Sequence, residues 1–148
     1  MTPHDVCQKF NSIHWHDSKL LNLEIGKNSS GVTEEVRFDV QLLINPVPGN
    51  YKWEPRVIIF RECRLVQACL DLQVMRMCSH DISSAECVED SPLKKEFERQ
   101  IENEPLKVKP EKNPLANSLQ FTISLIPPSG RITIFAKDFD VVPPPSIR

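Results

Sequence analysis

His14, His16, Asp17 and Ser18 stand within five residues around Trp15, the densest set of proton-handling side chains in the sequence. Two imidazoles, a carboxylate and a hydroxyl are the materials of metal ligation and of acid–base catalysis. In an extended backbone His14 and His16 project to one face, two residues apart. There they could ligate a divalent metal, with a carboxylate from elsewhere in the chain as third ligand. His16 and Asp17, as neighbours, face apart in a strand and make a poor acid–base pair unless the chain turns between them. Asp17-Ser18 is itself a turn signal, because an Asx side chain can bond the backbone two residues on. The alternative to chemistry is therefore structural. Asp17 and Ser18 cap the start of the following strand, Trp15 packs on the core, and the histidines sit at its rim.

A second cluster, Tyr51-Lys52-Trp53-Glu54-Pro55-Arg56, combines the residue types enriched at the centres of protein–protein interfaces. The same residues also serve as lids over the open end of a β-sandwich. Cys78, His80 and Cys87 offer metal-ligand atoms, but their C-x-H-x6-C spacing matches no common zinc knuckle. The five cysteines are odd in number and contain no C-x-x-C pair, which argues against a closed disulfide framework. Most are expected to serve as small apolar side chains. No phosphate-binding glycine loop, nucleophile elbow or HExxH is present. Paired carboxylates of the glycosidase kind are set by space rather than by sequence, and nothing singles out a pair.

Around these clusters the chain reads mainly in period two. Leu21, Leu23 and Ile25 alternate with Asn22 and Glu24; Val36 to Ile44, Leu70 to Val74 and Leu119 to Leu125 do the same. Ile132 and Ile134 flank Thr133, and the pattern runs on towards Phe139 and Val141. Each run has a core face and a wet face, as in antiparallel sheets with one solvated side. Val57-Ile58-Ile59-Phe60 is apolar on both faces and belongs at the centre of a sheet. Phe38, Ile59, Leu72, Phe121 and Ile134 are the expected core. Polar turns at 26–31, 46–50 and 127–130 join strands, and the proline tail over 142–148 cannot continue a central strand.

Two helices fit the remainder. Thr2-Pro3-His4-Asp5 offers an N-cap, a proline at the first helical position and an acid at the third. Ser91-Pro92 repeats the signal, and Leu93, Phe97 and Ile101 recur every four residues before Pro105. Residues 79–104 carry eight acidic and three basic side chains. Together with the lysine- and proline-rich stretch up to Asn117, they read as a 79–117 excursion from the β core. The expected fold is α+β, mainly antiparallel β: a curved sheet or sandwich of about six to eight strands with one or two helices, in a single domain over 1–148.

Composition narrows the function. With 148 residues and a net charge of −2, the chain has no general basic field for nucleic acid or an anionic membrane. No apolar run is long enough for a transmembrane helix, and the N-terminus lacks the pattern of a signal peptide. A cytoplasmic location, no cofactor, no nucleic acid and no membrane partner are the expectations.

The order of a short N-terminal helix, then His16-Asp17-Ser18-x-Leu20 entering a strand, resembles the opening of small, mostly bacterial β-rich domains. Trp53, Val57 to Phe60 and the Gly130 to Ala136 hairpin extend the likeness, while the acidic region at 79–117 departs from it. Some of those domains are presumed toxin-immunity proteins, so the resemblance implies binding rather than catalysis. The favoured function is a non-enzymatic protein-binding module, immunity-like, with Tyr51, Trp53, Arg56, Glu98 and Glu102 as partner-binding residues and a basic protein as partner. A small-ligand or metal-binding domain centred on His14, His16 and Asp17 is the alternative, and a hydrolytic enzyme the third reading.

Overall fold

The computed structural model describes residues 1–28, 30–31, 33–73, 80–103, 115–126 and 130–145. Val74, Cys78, the stretch over 104–114, the expected turn at 127–129 and residues 146–148 lie outside them. Eight strands form two antiparallel four-stranded sheets, with two helices among the described residues. Sheet A has the order β1-β2-β3-β8, from β1 (Lys19–Lys27), β2 (Glu34–Asn45), β3 (Lys52–Arg61) and β8 (Asp138–Val142). Sheet B has the order β4-β7-β6-β5, from β4 (Leu65–Leu70), β5 (Ile82–Val88), β6 (Leu119–Leu125) and β7 (Gly130–Ala136). The fold is α+β and mainly antiparallel β, as the period-two runs require.

The sheets are joined at two corners. At one, β3 passes into β4 and β7 into β8, so a single antiparallel ribbon leaves sheet A and enters sheet B. Glu62 takes a left-handed φ of 50° there. Arg64 N–H donates to the Phe135 carbonyl and Lys137 N–H to the Arg61 carbonyl, carrying the ladder round the bend. The sequence reads 132–141 as one alternating run; the structure breaks it at Lys137, because its two halves face different sheets. At the other corner, the start of β1 bonds the start of β5, with Lys19 bridged to Asp81.

The helix α1 (Pro3–Asn11) closes the gap between β5 and β8. Its N-terminus is a complete capping box: Asp5 N–H donates to Thr2 Oγ1 at 3.1 Å, and Thr2 N–H donates to Asp5 Oδ2 at 2.9 Å. The helix buries Val6, Cys7 and Phe10. The Phe10 ring lies between the layers, 5.0 Å from Phe121 of sheet B and 5.0 Å from Phe139 of sheet A, with Trp15 at 4.7 Å. Phe60 and Phe121 meet across the layers at 5.0 Å. The helix α2 (Pro92–Asn103) is capped by Ser91, whose Oγ accepts from Lys94 N–H at 3.0 Å. It packs Phe97 on Phe135 at 5.8 Å. Phe135 alternates with the core residues Ile134 and Ala136, so this contact lies on the outer face of sheet B.

Several expectations are corrected. Phe38, Phe121 and Ile134 are buried, but Leu72 is 70% exposed. Strand β4 stops at Leu70, paired with Gly130, so Leu72 has no strand partner. Ile59 is half-buried on the outer face, because Ile58 and Phe60 take the inward positions of β3. In β1 the register shifts between Leu20 and Asn22, which puts Leu20 inside and turns Leu21 outward, while Ile25, opposite the core residue Val36, is exposed at the far end of this edge strand. Finally, Ile82–Val88 is not part of an excursion: it is β5, the edge of sheet B, paired with β6. An irregular register between Ile82 and Ser84 breaks its alternation, and Ala85 and Cys87 are small, so no strong period-two signal exists there.

Candidate functional site

The cluster at 14–18 forms the junction between α1 and β1. Trp15 is buried, and its indole N–H donates to the Phe10 carbonyl at 2.9 Å, fixing the end of α1. Ser18 is fully buried. Its hydroxyl donates to the His14 carbonyl at 3.2 Å and accepts from Leu43 N–H at 3.0 Å. That second bond extends the β1–β2 ladder one step past its last backbone pair, Lys19–Gln41. The backbone here also ties the two sheets: Asp17 N–H donates to the Ile82 carbonyl at 3.0 Å, and Ile82 N–H to the Ser18 carbonyl at 2.7 Å. The proton and one lone pair of the hydroxyl are thus engaged in structural bonds.

Asp17 does form a turn, but through its backbone. It takes φ 64°, a left-handed conformation. Its carboxylate meets His16 Nδ1 at 3.1 Å, a pair made possible by that turn. His14 and His16 are both exposed. Among the described residues no three His, Cys, Asp or Glu side chains converge in a metal-holding group. His80 contributes its backbone carbonyl to Leu20 N–H. The sulfur of Cys87 lies against Cys7, and Cys78 is outside the described residues.

The turn at Asp17 reaches the second cluster. Trp53 Nε1–H donates to the Asp17 carbonyl at 3.0 Å, and Lys19 Nζ lies 5.3 Å from the centre of the Trp53 ring. Tyr51 stands beside Trp53, with ring centroids 5.9 Å apart. Trp53 is paired with Leu43, whose neighbour Leu42 belongs to the core, so the indole lies on the outer face of sheet A. Tyr51 remains 50% exposed and Trp53 38%. The hairpin leading to them turns at Val47-Pro48-Gly49-Asn50. Asn50 N–H donates to the Val47 carbonyl at 2.9 Å, with Gly49 at φ 84°. Proline followed by a positive-φ glycine is the type II turn pattern. Ile44 and Val47 at this end are also exposed.

The other expected partner-binding residues do not join this group. Arg56 is paired with Val40, a core position, so it points to the opposite face of β3 from Trp53. It is held there by an ion pair with Glu54, and that guanidinium, helped by Lys52 and opposed by burial, keeps the Glu54 carboxyl below its ordinary pKa. Glu98 and Glu102 are on α2, over the outer face of sheet B. That helix is not acidic: Lys94, Lys95 and Arg99 balance Glu96, Glu98 and Glu102. Glu96 is bonded to Arg99, and Lys94 is buried with Nζ donating to the Ala116 carbonyl at 3.3 Å. The acidity of this region resides instead in Asp81, Glu86, Glu89 and Asp90, with Glu89 paired to His4 at 3.2 Å.

A groove of about 1200 Å³ runs past Lys9, Arg61, Glu62, Lys94, Asp138 and Asp140. Its charges pair with one another: Arg61 with Asp140 at 3.0 Å and Lys137 with Glu62 at 3.3 Å. Such a lining selects no single ligand sign. The sequence did not indicate this groove, because its residues come from α1, β3, β8 and the α2 region and share no motif. Comparison with protein families, curated proteins and solved structures finds no match to this chain.

Proposed function

We propose that the protein is a non-enzymatic protein-binding module of the blocking, immunity-like kind, docking through the Tyr51–Trp53 face of sheet A. The observation that carries this reading is the held but uncovered indole. Trp53 is fixed by a hydrogen bond to the Asp17 carbonyl and by the Lys19 ammonium, yet more than a third of it remains in water. An aromatic side chain already ordered in the free protein loses little rotamer freedom on binding, which is what an interface anchor requires. The cluster at 14–18 supports the anchor and is not itself a reactive centre in this reading.

Charge enters differently at the two faces. The screening length is about 8 Å at physiological salt, shorter than the ~10 Å between the layers of a sandwich. Side chains on α2 therefore exert little pull on a partner seated at Trp53. The test is affinity capture with the intact chain from its native host, followed by kinetics with the recovered partner. Trp53→Ala is expected to weaken binding about 30-fold or more, mainly through a faster off-rate. Glu98→Lys with Glu102→Lys is the second arm. A basic partner meeting α2 would associate several-fold more slowly at low salt and recover at high salt. A partner bound equally by wild type and Trp53→Ala, and slowed only by the charge reversal, would move the site to α2.

A further inference from the structure

Cys7 and Cys87 lie 80 positions apart in the chain, yet their sulfurs are 2.9 Å apart in the buried seam between α1 and β5. That separation is well inside ordinary contact between two sulfur atoms and about 0.9 Å beyond an S–S bond. The two residues are also held in register. Asn11, one helical turn after Cys7 and on the same face of α1, clasps the backbone of Cys87 from both sides. Its Nδ2 donates to the Cys87 carbonyl at 3.1 Å, and its Oδ1 accepts from Cys87 N–H at 2.8 Å. The amide thus acts as a short β-partner for the edge strand and fixes the height of Cys87 beside Cys7. Cys69, by contrast, is exposed, and the Cys63 thiol donates to the Phe60 carbonyl at 3.2 Å.

We propose that Cys7 and Cys87 are a thiol–disulfide pair, which a hydroperoxide oxidises to an intramolecular disulfide that locks α1 onto β5. The chemistry takes two steps. The thiolate of Cys7, its proton released to water, attacks one oxygen of hydrogen peroxide. The O–O bond breaks, and the departing hydroxide leaves as water after taking a proton. Cys7 now carries S–OH, its sulfur oxidised by two electrons. The Cys87 sulfur attacks that sulfur, the S–O bond breaks, and hydroxide leaves as water with the Cys87 proton. Two thiols and one peroxide become one disulfide and two waters. A dithiol reductant reverses the change.

Burial sets the rate. Desolvation, the largest influence on both thiols, pushes their pKa values up, and so keeps the thiolate scarce at neutral pH. Oxidation is therefore slow at neutral pH and accelerates as pH rises. The consequence for the molecule is local. The helix α1 carries Phe10, the ring that contacts both sheets, so tethering it holds the open side of the sandwich shut.

The test uses the intact chain, reduced, exposed to graded hydrogen peroxide, quenched, and labelled with a maleimide under denaturing conditions. The expected result is a monomer 2 Da lighter that accepts three labels instead of five, with a Cys7–Cys87 cross-linked peptide in the digest. Closing a loop of this length is also expected to raise the melting temperature by about 10 °C, reversed by dithiothreitol. Cys7→Ser and Cys87→Ser should each abolish the cross-link and the shift, while Cys69→Ser retains both. Oxidation that ends in Cys69-linked dimers or in sulfinic acid at Cys7, with no Cys7–Cys87 peptide from the wild-type chain, would overturn the proposal; this readout needs no variant to fold.

Discussion

Ser18 shows how a residue that looks reactive can be wholly structural. Its hydroxyl occupies the place of a missing β1 backbone group opposite Leu43. Ser18→Ala should leave a buried Leu43 N–H unpaired and cost about 1–3 kcal/mol in denaturant melts. A loss below about 0.5 kcal/mol would mean that water takes over the bond. Asp17 makes the complementary case. Its φ of 64° is a conformation that glycine adopts freely and alanine does not. Asp17→Gly should be neutral or slightly stabilising, whereas Asp17→Ala should lose about 1 kcal/mol. Equal stability of the two variants would remove backbone strain as the reason for that ranking. The sequence points to the Asp17 carboxylate as the cap of this turn; the structure pairs that carboxylate with His16 and assigns the bonding of the turn to the backbone.

At the scale of elements, the helix starts are the most local and therefore the most legible features. Thr2 and Ser91 each precede a proline and each cap the helix that follows. The Asp5 carboxyl is held below its ordinary pKa by the Thr2 hydroxyl and then by the Thr2 N–H. A depressed carboxyl stabilises the fold above its unfolded pKa and loses that contribution as pH falls through the folded value. Amide exchange in α1 should therefore rise below about pH 4, and Asp5→Asn should flatten that dependence. The strand Gly130–Ala136 tests close approach. A Cβ on Gly130 would lie 2.1 Å from the Cys69 carbonyl oxygen, at φ 129°. Gly130→Ala should disrupt the β4–β7 pairing and cost well over 1 kcal/mol, read as loss of amide protection in Leu65–Leu70. Pro55 is tolerated in β3 because β8 pairs only from Val57 onward, so no ladder bond is lost on that side.

At the scale of the molecule, one aromatic cluster binds the two sheets and α1. Phe10→Ala and Phe121→Ala should each cost about 3–5 kcal/mol. With their rings 5.0 Å apart, the double variant should cost less than the sum by about 0.5–3 kcal/mol. Strict additivity in a double-mutant cycle would mean that α1 packs independently of the sheets. The same view separates the surfaces. Tyr51 and Trp53 lie over sheet A, and Glu98 and Glu102 lie over sheet B. The acidic count over 79–104 merges a charge-balanced helix with Glu86 of the edge strand and its acidic flanks, Asp81, Glu89 and Asp90.

Local periodicity decided most of what the sequence alone determined. The alternation in 36–44 and 119–125, the turn at 46–50 and the two caps depend on neighbours within a few positions, so they survive reading in one dimension. Tertiary structure decided the rest. The bulge in β1 turned Leu21 outward, and the open end of the edge strand left Ile25 uncovered. The sheet-to-sheet bend at Lys137 divided one apparent strand into two. The weakly alternating β5 exists because β6 and α1 supply its partners. The meeting of Asp17 with Trp53, across 36 positions, and of Cys7 with Cys87, across 80, follows from strand pairing and helix docking. No spacing within the chain encodes either contact, because antiparallel pairing and helix docking bring together residues whose separation along the chain is arbitrary.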